Sequence, residues 1–153
     1  PKSNVIRLSD NVYNSTSVAA IGVACHEAGH AAQHAENYVP IKIRTALVPV
    51  CNIGSHLGIP LALIGFFLGF EPLIVIGLVL YGAIFAFQVA TLPVEFNASR
   101  RAIKVIEDTN LLYDDEIDGA KKVLSAAAMT YVASMIVALA NLIRLGLRFN
   151  RRR

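Results

Sequence analysis

The stretch that decides the fold is residues 72–94, PLIVIGLVLYGAIFAFQVATLPV, which contain no Asp, Glu, Lys, Arg or His. As a helix with a rise of about 1.5 Å per residue, this stretch can cross the roughly 30 Å of hydrocarbon in a bilayer. Residues 46–70 also lack Asp, Glu, Lys and Arg, and a Gly-Phe-Glu-Pro turn signal lies between the two runs. The pattern predicts a transmembrane helical hairpin over residues 46–94.

The first of these two runs is interrupted near its beginning. Its polar and helix-breaking residues are Pro49, Asn52, Gly54, Ser55, His56 and Pro60. Because proline removes a backbone donor from a helix, we expect the regular, lipid-facing part of the first span to begin near Leu57.

A third uncharged run covers residues 123–143 and is rich in alanine. Small residues allow helices to approach closely in lipid, where packing holds them together. Arginines follow the run, as interfacial anchors do, at Arg144, Arg148 and residues 151–153. We therefore expect a third hydrophobic helix over residues 123–147 that packs on the hairpin, and its small residues would also suit a homo-oligomer or a membrane partner.

The composition favours an all-α membrane protein. Of 153 residues, 55% are hydrophobic and 16% charged, and the mean hydropathy is +0.53. A single soluble core of this size cannot bury so much apolar surface, whereas a bilayer can. The net charge of +3 comes from basic residues that flank the apolar runs. They do not form one basic face, so nucleic acid is not an expected partner.

The remaining segments are polar enough to lie in water. Residues 5–8 are a candidate strand, and Asn14 and Ser15 are candidate N-caps of a helix that ends near Glu36. Residues 95–110 predict another helix.

An acidic segment at residues 114–118 is typical of a solvated turn or of the start of a helix. We expect one domain over residues 1–153, with aqueous regions at 1–45 and 95–122. Because the chain begins with Pro1, we also expect a further segment upstream of it.

The motif that carries chemistry is His26-Glu27-Ala28-Gly29-His30. Residues i and i+4 of a helix share one face, so the imidazoles of His26 and His30 can bind one zinc ion. Glu27 then lies beside a zinc-activated water and can act as its general base. The motif indicates zinc-dependent hydrolysis of peptide bonds.

Catalytic zinc needs a third protein ligand. A straight helix carries His34 about 6 Å further along its axis, and Glu36 lacks the preceding glycine turn of metzincins. Glu95 begins the helix after the hairpin, which returns the chain to the side that it left. We therefore predict Glu95 as the third ligand. Ser99, one helical turn later, and Asn97 are candidates for supporting hydrogen bonds.

These motifs resemble the YugP-type family of prokaryotic membrane neutral zinc metallopeptidases. The resemblance is carried by residues 26–33, 43–50, 52–55 and 92–102 and extends over about residues 5–142. The chain is more distantly similar to the HtpX-type membrane peptidases, which also place a hydrophobic hairpin between HExxH and a ligand glutamate. The resemblance implies a membrane-bound zinc endopeptidase that acts on polypeptides.

Carried over residue by residue, the family's zinc ligands fall on His26, His30 and Glu95, and its general base falls on Glu27. Ser99 departs from the thermolysin-like pattern, which has an aspartate at this position. The resemblance therefore implies the ligands and the base, but not the supporting contacts.

Two other functions use the same motif. An intramembrane protease of the site-2 type would take its third ligand from Asp118 in Ile117-Asp118-Gly119. However, the apolar or small residues before the motif, 17–25, are too few to span a bilayer. A non-catalytic zinc-binding membrane scaffold would have the same ligands as the enzyme.

The basic residues also predict sidedness. Lys42 and Arg44 precede the hairpin, and Arg100, Arg101 and Lys104 follow it. By the positive-inside rule, both aqueous ends of the hairpin, and the metal site with them, should face the cytoplasm of a prokaryotic cell. A third helix that crosses fully would place the C-terminal arginines outside, against the same rule.

Overall fold

The computed structural model describes residues 5–150, with side chains to Arg148, and the described chain contains helices but no strand. The helices are α1 (Asp10–Tyr13), α2 (Val18–Ala35), α3 (Val39–Leu68), α4 (Glu71–Thr109) and α5 (Asp114–Asn150). The predicted anchor at residues 151–153 lies outside the described residues.

Three of these helices, α3, α4 and α5, are long and apolar enough to cross a membrane. In their most apolar windows only 17%, 11% and 17% of the residues are buried. Large apolar side chains that face outward over such lengths are typical of lipid-facing helices. The prediction of an all-α protein with three hydrophobic helices is confirmed.

The N-terminal region differs from the prediction in two ways. Residues 5–8 do not form a strand, since a strand needs a partner for its backbone groups and the described chain offers only helices. Ser17, not Asn14 or Ser15, is the N-cap of α2, where its hydroxyl oxygen accepts a hydrogen bond from the Ala20 amide at 3.2 Å.

Helix α3 is longer than the apolar run predicted for the first span, and its predicted lipid-facing start near Leu57 stays a prediction. Helix α3 begins at Val39, with Pro40 in its first turn, where proline costs no hydrogen bond. It then runs without interruption through Pro49 and Pro60. Prolines inside a membrane helix are tolerated because neighbouring helices compensate the freed backbone groups.

The second span and the predicted ligand helix are one helix. Helix α4 continues from Glu71 to Thr109 through Pro93, so Glu95 lies within it and not at its start. Helix α5 likewise begins at Asp114, so the acidic segment is the first turn of the third hydrophobic helix. Negative side chains there are favoured by the helix dipole.

The chain divides into two compact units. One contains the described residues up to Ile41 together with Leu92–Thr130, and the other contains Lys42–Thr91 together with the residues from Tyr131 onward. In the first unit, α2, α4 and α5 enclose an apolar core around Ile106 and Ala120.

In the second unit, α3 and α4 form a hairpin held by close backbone contacts. A Cβ atom built on Gly58 would lie 3.1 Å from the Tyr81 amide nitrogen, and one on Gly77 would lie 2.5 Å from the Ala62 nitrogen. Gly69, at φ +67°, ends α3, and the following Phe70 amide donates to the Gly65 carbonyl at 2.9 Å. Glycine allows both the left-handed turn and the close packing that stabilises helices in lipid.

Candidate metal centre

Three potential metal ligands meet between α2 and α4 in the first unit. One donor atom from each of His26, His30 and Glu95 lies within 4.8 Å of the other two. The Nε2 atoms of His26 and His30 are 3.1 and 3.5 Å from Glu95 Oε2. Thus both imidazoles turn the same ring nitrogen toward one carboxylate oxygen.

The helices bring these side chains together in a simple way. His26 and His30 lie one turn apart on the same face of α2, as their spacing predicts. Helix α4 passes close to this face because Gly29 lies against the backbone of Ala98, one turn after Glu95 on α4. The potential ligands therefore come from two helices that approach closely.

The other ring nitrogen of each histidine has its own partner. His26 Nδ1 lies 3.2 Å from the Ser99 hydroxyl oxygen, and His30 Nδ1 lies 3.0 Å from Gln33 Oε1. If each Nδ1 carries the proton and donates it, Nε2 of each ring is left with a free lone pair for a metal. Such contacts orient metal-binding histidines and fix their tautomers.

Gln33 connects His30 to α4. Its side chain is fully buried, and its Nε2 donates to the Val94 carbonyl at 2.8 Å and to Asn97 Oδ1 at 2.9 Å. Asn97 therefore contacts Gln33 directly and reaches His30 through it. Both N–H donors and the oxygen of the Gln33 amide therefore have a partner, as a buried amide requires.

The hydrogen-bonded chain continues to the surface. Arg101 donates from Nε to Asn97 Oδ1 at 2.8 Å and forms a two-bond ion pair with Glu36, at 2.9 and 2.6 Å. These hydrogen bonds from the Arg101 guanidinium hold the pKa of Glu36 below its usual value. Glu36 is thus the partner of a surface arginine, which explains why it does not take part in the metal centre.

The electrostatics suit a cation. Glu95 is only 2% exposed, and a carboxylate so deeply buried needs positive partners. Burial opposes protonation of His30, but hydrogen bonds to Glu95 and Gln33, with the charges of Glu95 and Glu27, outweigh it and raise the pKa of His30 above 6.5. Two imidazoles and one carboxylate are also a donor set of catalytic zinc sites. The residues therefore fit zinc.

Glu27 lies exposed on α2, between the two histidines in sequence. Its negative charge contributes to the raised pKa of His30. Its carboxylate is outside the ligand group and accessible to water. Among the described residues, His34, Glu36 and Asp118 are also outside this group.

Gln33 was not predicted as part of the centre. It lies three residues after His30, and this spacing places it one helical turn further on the same face. That spacing could have suggested a contact with His30. The link to Asn97 and Arg101 depends on how α2 and α4 pack, which the spacing does not reveal.

Known proteins are similar to this chain over most of its length. A family described as "Putative neutral zinc metallopeptidase" matches residues 1–150. The "Putative membrane protease YugP" of Bacillus subtilis (strain 168) is 46% identical over 144 residues, which are 94% of this chain and 64% of that protein. The chain thus spans slightly less than two thirds of the length of this relative. No solved structure matches the chain. Since the family match covers nearly every residue, the chain belongs to the family described as "Putative neutral zinc metallopeptidase", as its resemblance to the YugP-type family predicts.

Proposed function

We propose that this chain carries the active site of a membrane-bound zinc endopeptidase. His26, His30 and Glu95 bind the zinc ion, and Glu27 is the general base. The observation that supports this most directly is the convergence of both histidine Nε2 atoms on a buried carboxylate, next to an exposed glutamate. Family membership supports zinc and peptide hydrolysis as the chemistry.

Each residue then has a distinct task. When bound, zinc supplies a Lewis acid that lowers the pKa of a water molecule and polarises the scissile carbonyl. Glu27 accepts the proton of the attacking water and delivers it to the leaving amine. Ser99 and Gln33 hold the imidazoles of His26 and His30 in the orientation that zinc requires.

The substrate is a polypeptide, and the enzyme acts from a cell membrane. The three long apolar helices support membrane insertion, and the relative is named a membrane protease. The basic residues on both sides of the hairpin support a cytoplasmic site.

The intramembrane alternative receives no support from the geometry. Helix α2, which carries the HExxH motif, is not among the described helices that are long and apolar enough to cross a membrane. Asp118 lies outside the group of potential ligands.

Zinc content and hydrolysis, measured separately, test the proposal. The purified protein in lipid nanodiscs is assayed for zinc by mass spectrometry and for cleavage of fluorescent casein. Glu27→Gln should keep zinc and lose at least about 100-fold in rate, because general base catalysis contributes that much. Glu95→Gln should lose both zinc and activity, whereas Asp108→Asn, an exposed carboxylate on the same helix, should keep both.

Two outcomes would contradict the proposal. Full zinc occupancy in Glu95→Gln would exclude Glu95 as a ligand. A zinc-loaded wild-type protein that cleaves no polypeptide would identify the chain as a scaffold.

Sidedness is tested by cysteine labelling in intact cells. Single cysteines replace Asn37 and Glu71 in a protein with Cys25→Ala and Cys51→Ala, and a membrane-impermeant thiol reagent is added. A cytoplasmic site predicts labelling at position 71 and protection at position 37. The reverse pattern would place the site outside.

A further inference from the structure

A groove of about 460 Å³ opens between α4 and α5 within the first unit. Its lining combines two kinds of side chain. The apolar ones include Phe96, Leu124 and Ala128, and the basic ones are Arg100, Lys104 and Lys121. A lining of this kind fits an occupant that is itself amphipathic.

The groove changes character along its length. On α4, Phe96 follows the uncharged residues 72–94, and Lys104 lies two turns further on. On α5, Lys121 precedes the uncharged residues 123–143. The two helices run antiparallel here, since only residues 110–113 connect them and Lys121 on α5 pairs back with Glu107 on α4 at 3.0 Å. The groove is therefore basic toward the polar ends of both helices and apolar toward their hydrophobic runs.

The groove also has an excess of positive charge. Glu107 is the carboxylate among its lining residues, and it pairs with Lys121. Arg100 and Lys104 add two further positive charges to the lining. An anionic group would therefore be attracted to the stretch of α4 between Phe96 and Glu107.

We propose that this groove binds one anionic phospholipid. The headgroup phosphate lies against Arg100 and Lys104, and an acyl chain follows Phe96, Leu124 and Ala128. Both helices pass from charged to apolar sequence at the groove, and this is the level at which lipid headgroups meet hydrocarbon. A phospholipid has an anionic headgroup next to an apolar chain, which matches the basic and then apolar lining of the groove. A peptide would need acidic and apolar side chains in the same order within one short segment. The inference goes beyond the peptidase activity and does not depend on it.

Native mass spectrometry of the protein released from detergent micelles tests the proposal. The protein is titrated with palmitoyl-oleoyl phosphatidylglycerol, with the phosphatidylcholine of the same chains, or with inorganic phosphate. The double variant Arg100→Gln/Lys104→Gln should bind phosphatidylglycerol about 30-fold more weakly, since each basic residue near an anionic lipid contributes roughly fivefold. Its binding of phosphatidylcholine should not change.

The matched control is Lys42→Gln/Arg44→Gln, which removes the same charge from the start of α3 and should leave phosphatidylglycerol binding unchanged. A second variant, Ser125→Trp, places a large side chain in the groove from an exposed position and should exclude the lipid while the positive charges of Arg100 and Lys104 remain. Helical circular dichroism and zinc content, unchanged from the wild type, show that each variant is folded.

Three results would overturn the proposal. Equal losses in the two double variants would mean that general surface charge attracts the lipid. If inorganic phosphate binds as tightly as phosphatidylglycerol, the acyl chain does not contact the apolar side chains of the groove. An acidic amphipathic peptide that displaces phosphatidylglycerol and binds more tightly would make the groove a peptide site.

Discussion

Gly29 lies so close to Ala98 that a Cβ atom built on Gly29 would stand 2.8 Å from the Ala98 carbonyl oxygen. The neighbouring atoms are backbone, which cannot move aside as a flexible side chain can. Helix α2 can therefore approach α4 at this distance only because position 29 has no side chain. The same approach sets the gap across which Glu95 reaches His26 at 3.1 Å.

Gly29→Ala should therefore separate the ligands. Because a metal site tolerates errors of only about 0.2 Å in ligand distance, we expect the variant to lose most of its zinc while remaining helical. Zinc content and circular dichroism measure the two effects.

The control is Gly22→Ala, on the same helix. A Cβ atom there would meet Ala120 and Leu124 at 3.8 and 3.9 Å, which are ordinary contacts. This variant should keep its zinc and be as stable as the wild type or more stable by about 1 kcal/mol, because alanine favours helix over glycine. Loss of zinc in both variants would contradict the role assigned to Gly29.

The hydrogen bonds of Gln33 should tune the affinity for zinc. Gln33→Met keeps the size of the side chain but removes the acceptor for His30 Nδ1 and the donor to α4. Removing such a supporting contact typically weakens metal binding by about 10- to 100-fold. Competition with a fluorescent chelator measures the change, and Gln88→Met, in the other unit, is the control. An unchanged zinc affinity in Gln33→Met would show that the hydrogen bond from His30 to Gln33 does not contribute to zinc binding.

Acidity should affect the metal-free and the zinc-loaded protein in opposite directions. The raised pKa of His30 means that the folded, metal-free protein holds a proton there more tightly than the unfolded chain does. This stabilisation is complete below the unfolded pKa of about 6.5 and is lost as the pH rises through the higher folded value. Zinc binding must displace this proton, so zinc affinity should fall as the pH falls through the same range.

Thermal unfolding with and without a chelator, at about pH 6 and about pH 8, measures both effects. The metal-free protein should be more stable at the lower pH, and the zinc-loaded protein at the higher pH. His30→Gln should remove the pH dependence of the metal-free protein that His30 causes. A metal-free protein that gains stability on going from the lower to the higher pH would contradict the assignment.

The hairpin should depend on glycine at one position and not at another. Gly77→Leu places a side chain where a Cβ atom would already lie 2.5 Å from the Ala62 nitrogen, so α3 and α4 must move apart. Overpacking of this kind costs about 1–3 kcal/mol or more. At Gly82, a Cβ atom would have no neighbour within 4 Å, so Gly82→Leu should be tolerated. Thermal unfolding in one detergent compares the two variants, and equal stability would count against close packing at Gly77.

Much of the fold and of the centre could be predicted from sequence because strong local signals carried them. The uncharged runs predicted the hydrophobic helices, and the i, i+4 spacing placed His26 and His30 on one face. A hairpin that returns the chain to its starting side led to Glu95. These inferences need only the period of a helix and the thickness of a bilayer.

The helix ends and the supporting contacts were harder to predict. Pro49 and Pro60 suggested an interruption, but both lie inside the continuous helix α3, where packing outweighs one missing hydrogen bond. The contact of Gln33 with Asn97 joins residues 64 positions apart, so it depends on the approach of two helices. No local pattern encodes that approach, except the absence of a side chain at Gly29.

The continuity of α4 determines how far Glu95 lies from the hydrophobic run of the same helix. Glu95 follows the uncharged residues 72–94 directly, with no loop between them. In a bilayer, a shift of this helix along its own axis would therefore also shift Glu95. Sliding α4 against α2 by one residue would move Glu95 by about 1.5 Å relative to His26 and His30, several times the tolerance of a metal–ligand distance. We therefore expect bilayer thickness, which acts on residues 72–94, to affect the geometry of the proposed metal site as well.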